Sequence, residues 1–232
     1  MSNYRDSNET NRIKNNVLYA SAKLFLTKGY HNASIKEIAR LANVTPSTLM
    51  YIFKSKEDIL CDIVNFVLEG QFITAKKLVE GRTEDKILFY ALETVLQLYM
   101  AESNEQVREL YNVVYSLPKT SDIVQNNITY KLEEIFKEHL PELTTKDFYE
   151  LEIASGGIIR GFMARPCDMY FTMNRKVRRY LETTLHVYQV SDEKIEEAIE
   201  FVSQFDLVSI AKMTISNMIK YLEQAEEVVK DE

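Results

Sequence analysis

Apolar positions recur at helical spacing along almost the whole chain. Within 11–28, Ile13, Val17, Ala20 and Leu24 form one stripe, with Leu18, Ala22 and Phe25 beside it. That is the i, i+3, i+4, i+7 pattern of an amphipathic helix. Gly29 stands where a left-handed residue would end it. Ser34-Ile35-Lys36-Glu37 reads as a capping box and opens a short helix over 35–42, with Ile35, Ile38, Ala39 and Ala42 on one face. Asn43 tolerates a left-handed turn. Thr45-Pro46 then opens a third helix over 46–52, Thr as N-cap and Pro at the first helical position, burying Leu49 and Phe53. Ser55-Lys56-Glu57-Asp58 starts a longer helix over 56–79. Beyond Gly81 the spacing predicts helices over 84–101, 105–117, 121–138, 145–164, 172–189 and 192–228. The breaks fall at Glu102-Ser103-Asn104, Pro118, Leu140-Pro141, Arg165-Pro166 and Ser191-Asp192. No alternating run argues for a strand, so the expected fold is all-α.

The turn from Leu41 to Thr45 is too short for its two flanking helices to lie antiparallel, and they are expected to cross steeply. Ala39, Val44, Leu49 and Phe53 would pin that angle. The third helix then turns Pro46, Ser47, Thr48, Met50 and Tyr51 outward. Hydroxyls that donate or accept, and apolar groups that meet a thymine methyl, suit the edges of base pairs in a major groove.

Charge strengthens that reading. The whole chain has 232 residues and a net charge of −7, yet residues 1–56 hold nine Lys/Arg against three acids. A basic head on an acidic body fits a polyanionic partner at one end. The length exceeds the usual single-core size of about 100–150 residues, so a second unit follows the head. The expected division is a flexible polar arm over 1–10, a helix-turn-helix domain over 11–55 and a helical domain over 56–232.

The stretch from Asn32 to Leu60, with Ile38-Ala39, the small-residue turn, Tyr51 and Phe53, and then Lys56-Glu57…Leu60, resembles the N-terminal signature of the TetR/AcrR transcriptional regulators. The resemblance spans roughly residues 11–60. It implies a homodimer that binds a palindromic operator in double-stranded DNA and is released by a small-molecule effector. It implies groove-facing positions at Thr45, Ser47, Thr48 and Tyr51, a backbone contact at the capped Ser34 helix start, and a phosphate contact from Lys56. Lys36 and Lys54 add positive charge beside them. Two positions depart from the pattern. Asn43 replaces the usual turn Gly, and Met50 replaces a phosphate-contacting Tyr, a contact that Tyr51 or Lys54 would have to take over.

For the rest of the chain the resemblance implies an all-α, antiparallel domain for effector binding and dimerisation. Aromatic residues crowd this part, with 14 Tyr and no Trp in the whole chain. Phe72, Tyr90, Tyr99, Tyr111, Tyr115, Tyr130, Phe162 and Met163 read first as core packing and second as pocket lining. Arg108 and Arg160 fall among apolar neighbours. A buried Arg160 would need an acidic ligand or a protein carboxylate such as Glu93 or Glu152. Gly157 and Gly161 inside a helix imply close approach by another helix. With Phe205, Val208, Ile215, Met218 and Leu222 of the last segment they are expected to build a four-helix dimer interface.

Other classes find less support. There is no metal-ligand cluster, no phosphate-cradling glycine loop and no nucleophile elbow, so neither an enzyme nor a cofactor is expected. Cys61 and Cys167 have no metal or disulfide spacing. The polar start MSNYRDSNETNR has no secretory apolar stretch and no run of 18 apolar residues follows, so a cytoplasmic protein without membrane contact is expected. A repressor is the first reading. A transcriptional activator of the same fold, or a helical ligand-binding adaptor that ignores DNA, are the alternatives.

Overall fold

The computed structural model describes the backbone of residues 2–227 and the side chains of residues 9–223. Met1 of the expected arm and residues 228–232 of the expected C-terminal domain lie outside the described residues. Among the described residues there are eleven helices and no strand. They are α1 (Ser2–Lys28), α2 (Ile35–Leu41), α3 (Pro46–Ile52), α4 (Lys56–Val79), α5 (Lys86–Ala101) and α6 (Glu105–Val114). Then come α7 (Pro118–Phe136), α8 (Thr145–Ala164), α9 (Met173–Val187), α10 (Asp192–Ser203) and α11 (Leu207–Glu227).

The expected all-α class holds, with three local differences. Residues 2–10 continue α1 instead of forming a loose arm; they contain no Gly or Pro to interrupt a helix already nucleated behind them. Pro118 opens α7 instead of separating two helices, because a proline at the first helical position loses no intrahelical bond. The expected final helix is two: α10 stops at Gln204, and Asp206 accepts a hydrogen bond from the Ser209 N–H at 3.2 Å to start α11. No Gly or Pro marks that break, so periodicity alone ran through it.

Two apolar cores organise the chain. The first gathers Val17, Phe25, Ile38, Leu49, Phe53 and Leu60 from α1–α4. The second centres on α5, where nearly every residue from Tyr90 to Leu98 is buried, and takes in α7 to α11. Val113 of α6 and Val124 of α7 belong to the first core, so the N-terminal helices pack directly on the body. Leu49 is fully buried, and truncating such a residue to Ala costs about 2–5 kcal/mol.

Polar ties fix the same junction. Gly29 adopts φ +85° and its N–H bonds to the Phe25 carbonyl at 3.0 Å, ending α1. The carboxylate of Glu109 on α6 lies against it and accepts from the His31 N–H at 2.9 Å. A Cβ on residue 29 would stand 2.2 Å from Glu109 Oε2. Gly29→Ala is therefore expected to lose about 1–2 kcal/mol from the left-handed backbone alone, with the displaced carboxylate adding to it. Denaturant midpoints of the two proteins measure this, and equal midpoints would mean that the turn is not held as described.

Candidate nucleic-acid interface and internal cavity

The head is built around its capped turns. Ser34 Oγ accepts from the Glu37 N–H at 3.2 Å, and Glu37 Oε2 accepts from the Ser34 N–H at 3.2 Å, completing the capping box. The Lys28 ammonium, with the Ser34 N–H and hydroxyl, holds the Glu37 carboxyl down to about 2. Asn43 takes φ +55° as the turn requires, and Thr45 caps α3 by accepting from the Thr48 N–H at 3.1 Å. Leu49 and Phe53 are buried and Val44 is half-buried, so α3 is seated on α2 by the residues expected to pin it.

That seating turns Thr45, Pro46, Ser47, Met50 and Tyr51 to solvent, with Ser34, Lys36 and Lys54 also exposed. Tyr51 is 79% exposed. Lys54 folds over its ring, 5.2 Å from the centroid, while its Nζ donates to the Tyr51 carbonyl at 2.8 Å. Thr48 is half-buried and its hydroxyl bonds to that of Thr45 at 2.9 Å. Lys56 is placed differently from the expected phosphate contact. Its Nζ donates inward to the Tyr30 and Ala33 carbonyls at 2.7 and 3.0 Å, above the Tyr30 ring. Burial lowers its pKa. It braces the loop that presents Ser34, a role visible only once that loop is folded beside it.

Residues 17–63 match the sequence profile of bacterial regulatory proteins of the tetR family. The match is confined to the head, residues 17–63 of the 232. Over 86 residues, 35% of this chain and 44% of the relative, it is 34% identical to the uncharacterized HTH-type transcriptional regulator YdgC of Bacillus subtilis (strain 168). Over 113 residues, 42% of this chain and 58% of the relative, it is 28% identical to the fatty acid metabolism regulator protein of the same organism. The chain thus spans about half the length of these two relatives. Among solved structures, RolR in complex with resorcinol has a TM-score of 0.63 at 13% identity, covering 87% of this chain and 97% of RolR. That likeness is one of fold.

Behind this head lie two adjoining cavities. The larger is almost wholly apolar, walled by Ala22 and Leu26 of α1 and by residues of α4, α5, α6, α7 and α11. The smaller lies between α4, α5, α7, α8 and α9 and contains Glu93 and Glu152 among aromatic rings. Gln97 and Tyr115 line both. Of the expected pocket residues, Tyr111 and Tyr115 reach the larger space, and Phe72, Tyr90 and Tyr115 the smaller.

The other expected pocket residues do not line these cavities. Met163 is core, Tyr99 packs against the body core, and Phe162 meets the Phe171 ring at a tilt and the Tyr180 ring edge-on. Arg108 pairs with Glu102 at 3.6 Å. Tyr130 is 68% exposed and Arg160 is exposed, because each falls on the outer face of its helix. Arg160 therefore does not neutralise Glu93 or Glu152. Among the described residues the fully buried cation is Lys176, held by Glu102 at 2.7 Å, a pairing across 74 residues that periodicity cannot disclose.

The expected dimer residues also divide. Ile215, Met218 and Leu222 line the larger cavity, and Phe205 packs on Phe201 and under Arg82. Helix α11 packs on α1, α4 and α5, whereas α8 packs on α5, α6, α7 and α9, so the two do not pair within the chain. Gly157, Gly161 and Val208 are exposed, and a Cβ at either glycine would meet nothing within 4 Å. Neither glycine therefore answers to a close helix in this chain. The neighbouring Gly156 does have a use, since a Cβ there would stand 3.1 Å from Glu152 Oε1.

Burial pushes both cavity carboxyls up, Glu93 to about 7 and Glu152 to about 8. Tyr90, Tyr115, Tyr180 and Tyr188 face them as neutral phenols, and Lys131 stands at the rim. A carboxyl whose pKa is raised by folding stabilises the fold at low pH, and the contribution is lost as pH rises through the folded value. The melting temperature is therefore expected to fall as pH rises from the unfolded value of 4.5 to about 8, and to fall less steeply in Glu152→Gln; parallel curves would refute the assignment.

Proposed function

We propose that this chain is a DNA-binding transcriptional regulator, working as a repressor, whose grip on its operator is changed by a small molecule in the internal cavities. The observation that carries this reading is the outward face of α3. Its polar and aromatic side chains stand free on a helix whose inner side is locked by Leu49 and Phe53. In this reading α3 enters the major groove, Ser47, Thr48, Met50 and Tyr51 meet base edges, and Thr45 and Pro46 sit at the entry. Lys36, Lys54 and the capped start of α2 at Ser34 meet phosphates. Lys56 is the positioning residue behind them. Residues 11–55 form the DNA-binding unit, and α4 onward forms the effector and dimer unit.

A second copy is required to read a palindrome, because two heads must match half-sites ~34–36 Å apart. We place the dimer contact on the outer face of α8, where Tyr149, Ile153, Gly157 and Gly161 recur at four-residue spacing and are exposed. Ala22 and Leu26 of α1 wall the larger cavity, so an occupant presses on the head itself. A molecule that favours one head position over another shifts DNA affinity by its differential binding.

Gel shifts with the DNA upstream of the chain's own gene, over a range of salt, test the reading; no complex even at low ionic strength would end it. Lys36→Ala is expected to lower the slope of log affinity against log salt by about 0.9, on operator and random DNA alike. Tyr51→Ala is expected to weaken operator binding by about 1–3 kcal/mol while changing random-DNA binding little. Gly161→Glu is expected to convert the dimer to monomer in light scattering, and a dimer that persists would move the contact elsewhere.

A further inference from the structure

The smaller cavity holds two acidic groups that form no salt bridge. Glu93 and Glu152 are 3% and 4% exposed. Gln97 Nε2 donates to Glu93 Oε1 at 2.8 Å, and Ser155 Oγ donates to Glu152 Oε2 at 3.2 Å. Among the described residues neither carboxyl has a salt bridge, and they lie close enough for charge on Glu93 to raise the pKa of Glu152. The aromatic rings of Phe72, Tyr90, Tyr115 and Tyr180 line the same space. A buried carboxylate is ordinarily matched by a cation, and aromatic faces attract one.

An independent observation points the same way. Gln71 on α4 is 1% exposed and lines the larger cavity. Its Nε2 donates to the Tyr111 hydroxyl, which leaves Oε1 as a buried acceptor with no donor. The unmet demand in this space is therefore for donors and for positive charge. The walls of the larger cavity around it are otherwise aliphatic and aromatic.

We propose that these cavities bind a lipophilic amine. Its ammonium sits among Glu93, Glu152 and the aromatic rings, and its hydrocarbon part lies in the apolar space that α1 and α11 help to close. This rests on the reading of the cavities as the effector site. It goes beyond that reading in naming the chemical class and the two carboxylates that select it. Among the described residues no cation pairs with either carboxyl, because Arg160 faces outward, Lys176 is held by Glu102, and Lys131 at the rim pairs with Glu134 at 3.3 Å. A carboxylate ligand is disfavoured, since it would bring one more acidic group into a buried space whose two carboxyls already have no paired cation.

The test uses one tail and three heads: octylamine, 1-octanol and octanoate, each titrated calorimetrically into the full chain without DNA. Octylamine is expected to bind at least about tenfold more tightly than 1-octanol, and octanoate more weakly than both. The Glu93→Gln/Glu152→Gln double variant is expected to lose about tenfold in octylamine affinity while 1-octanol stays within about twofold. Equal or tighter binding of 1-octanol or octanoate, no binding of octylamine, or an unchanged octylamine affinity in a folded double variant would each overturn the proposal. The head-group series needs no variant, so it decides the matter even if the double variant does not fold. Gel shifts run separately keep the two readings apart. A chain that shifts DNA but ignores octylamine sinks only this inference, and one that binds octylamine but shifts no DNA sinks only the regulatory one.

Discussion

Helix α1 must bury two faces at once, and the rest of the molecule is arranged around that constraint. Val17, Ala20 and Phe25 belong to the core shared with α2, α3 and α4. Ala22 and Leu26 form part of a cavity wall completed by the body. The Tyr19 hydroxyl donates to Glu223 of α11 at 2.8 Å. A helix held on both sides cannot shift toward one partner without disturbing the other, since packed interiors have little slack. The head is therefore not a bead on a string, and what fills the cavity bears on how α2 and α3 are presented.

The junction adds polar constraints of short reach. Glu109 on α6 accepts from the turn after α1, Lys56 braces the same turn from α4, and Lys119 on α7 pairs with Asp58 at 2.5 Å. Exposed pairs of this kind contribute little to stability. Their consequence is geometric: they fix the direction in which the first four helices leave the body. Charge in the cavity follows different rules. Lys176 is fully buried yet matched, whereas Glu93 and Glu152 are buried without a counter-ion and are pushed toward the neutral form. Leaving a buried group unmatched costs stability.

Much of the head was legible in the residues themselves because its signals are local. A capping box, a Thr-Pro helix start and an Asn at a left-handed turn each act within four residues, and each appears where the pattern placed it. Periodicity likewise found most helices of the body. It failed at Gln204–Asp206, where the chain breaks without Gly or Pro, and at Pro118, where a proline begins a helix instead of dividing two. Only some of the expected pocket residues line a cavity for a related reason: one helix face is apolar whether it lines a void or fills a core, so Phe72, Tyr90, Tyr111 and Tyr115 looked the same as Met163 and Tyr99.

The sequence by itself determined the helical class, the capped turns and the outward polar face of the third helix, since these depend on neighbours a few residues apart. Only the tertiary structure decided that Lys56 turns inward, that Arg160 stands in solvent, that Ile215, Met218 and Leu222 close a cavity, and that two buried carboxyls line one cavity without a salt bridge. Those outcomes depend on the rotation of each helix about its axis and on partners tens of residues away. Both are set by how the cores pack, and neither is written in the spacing along the chain.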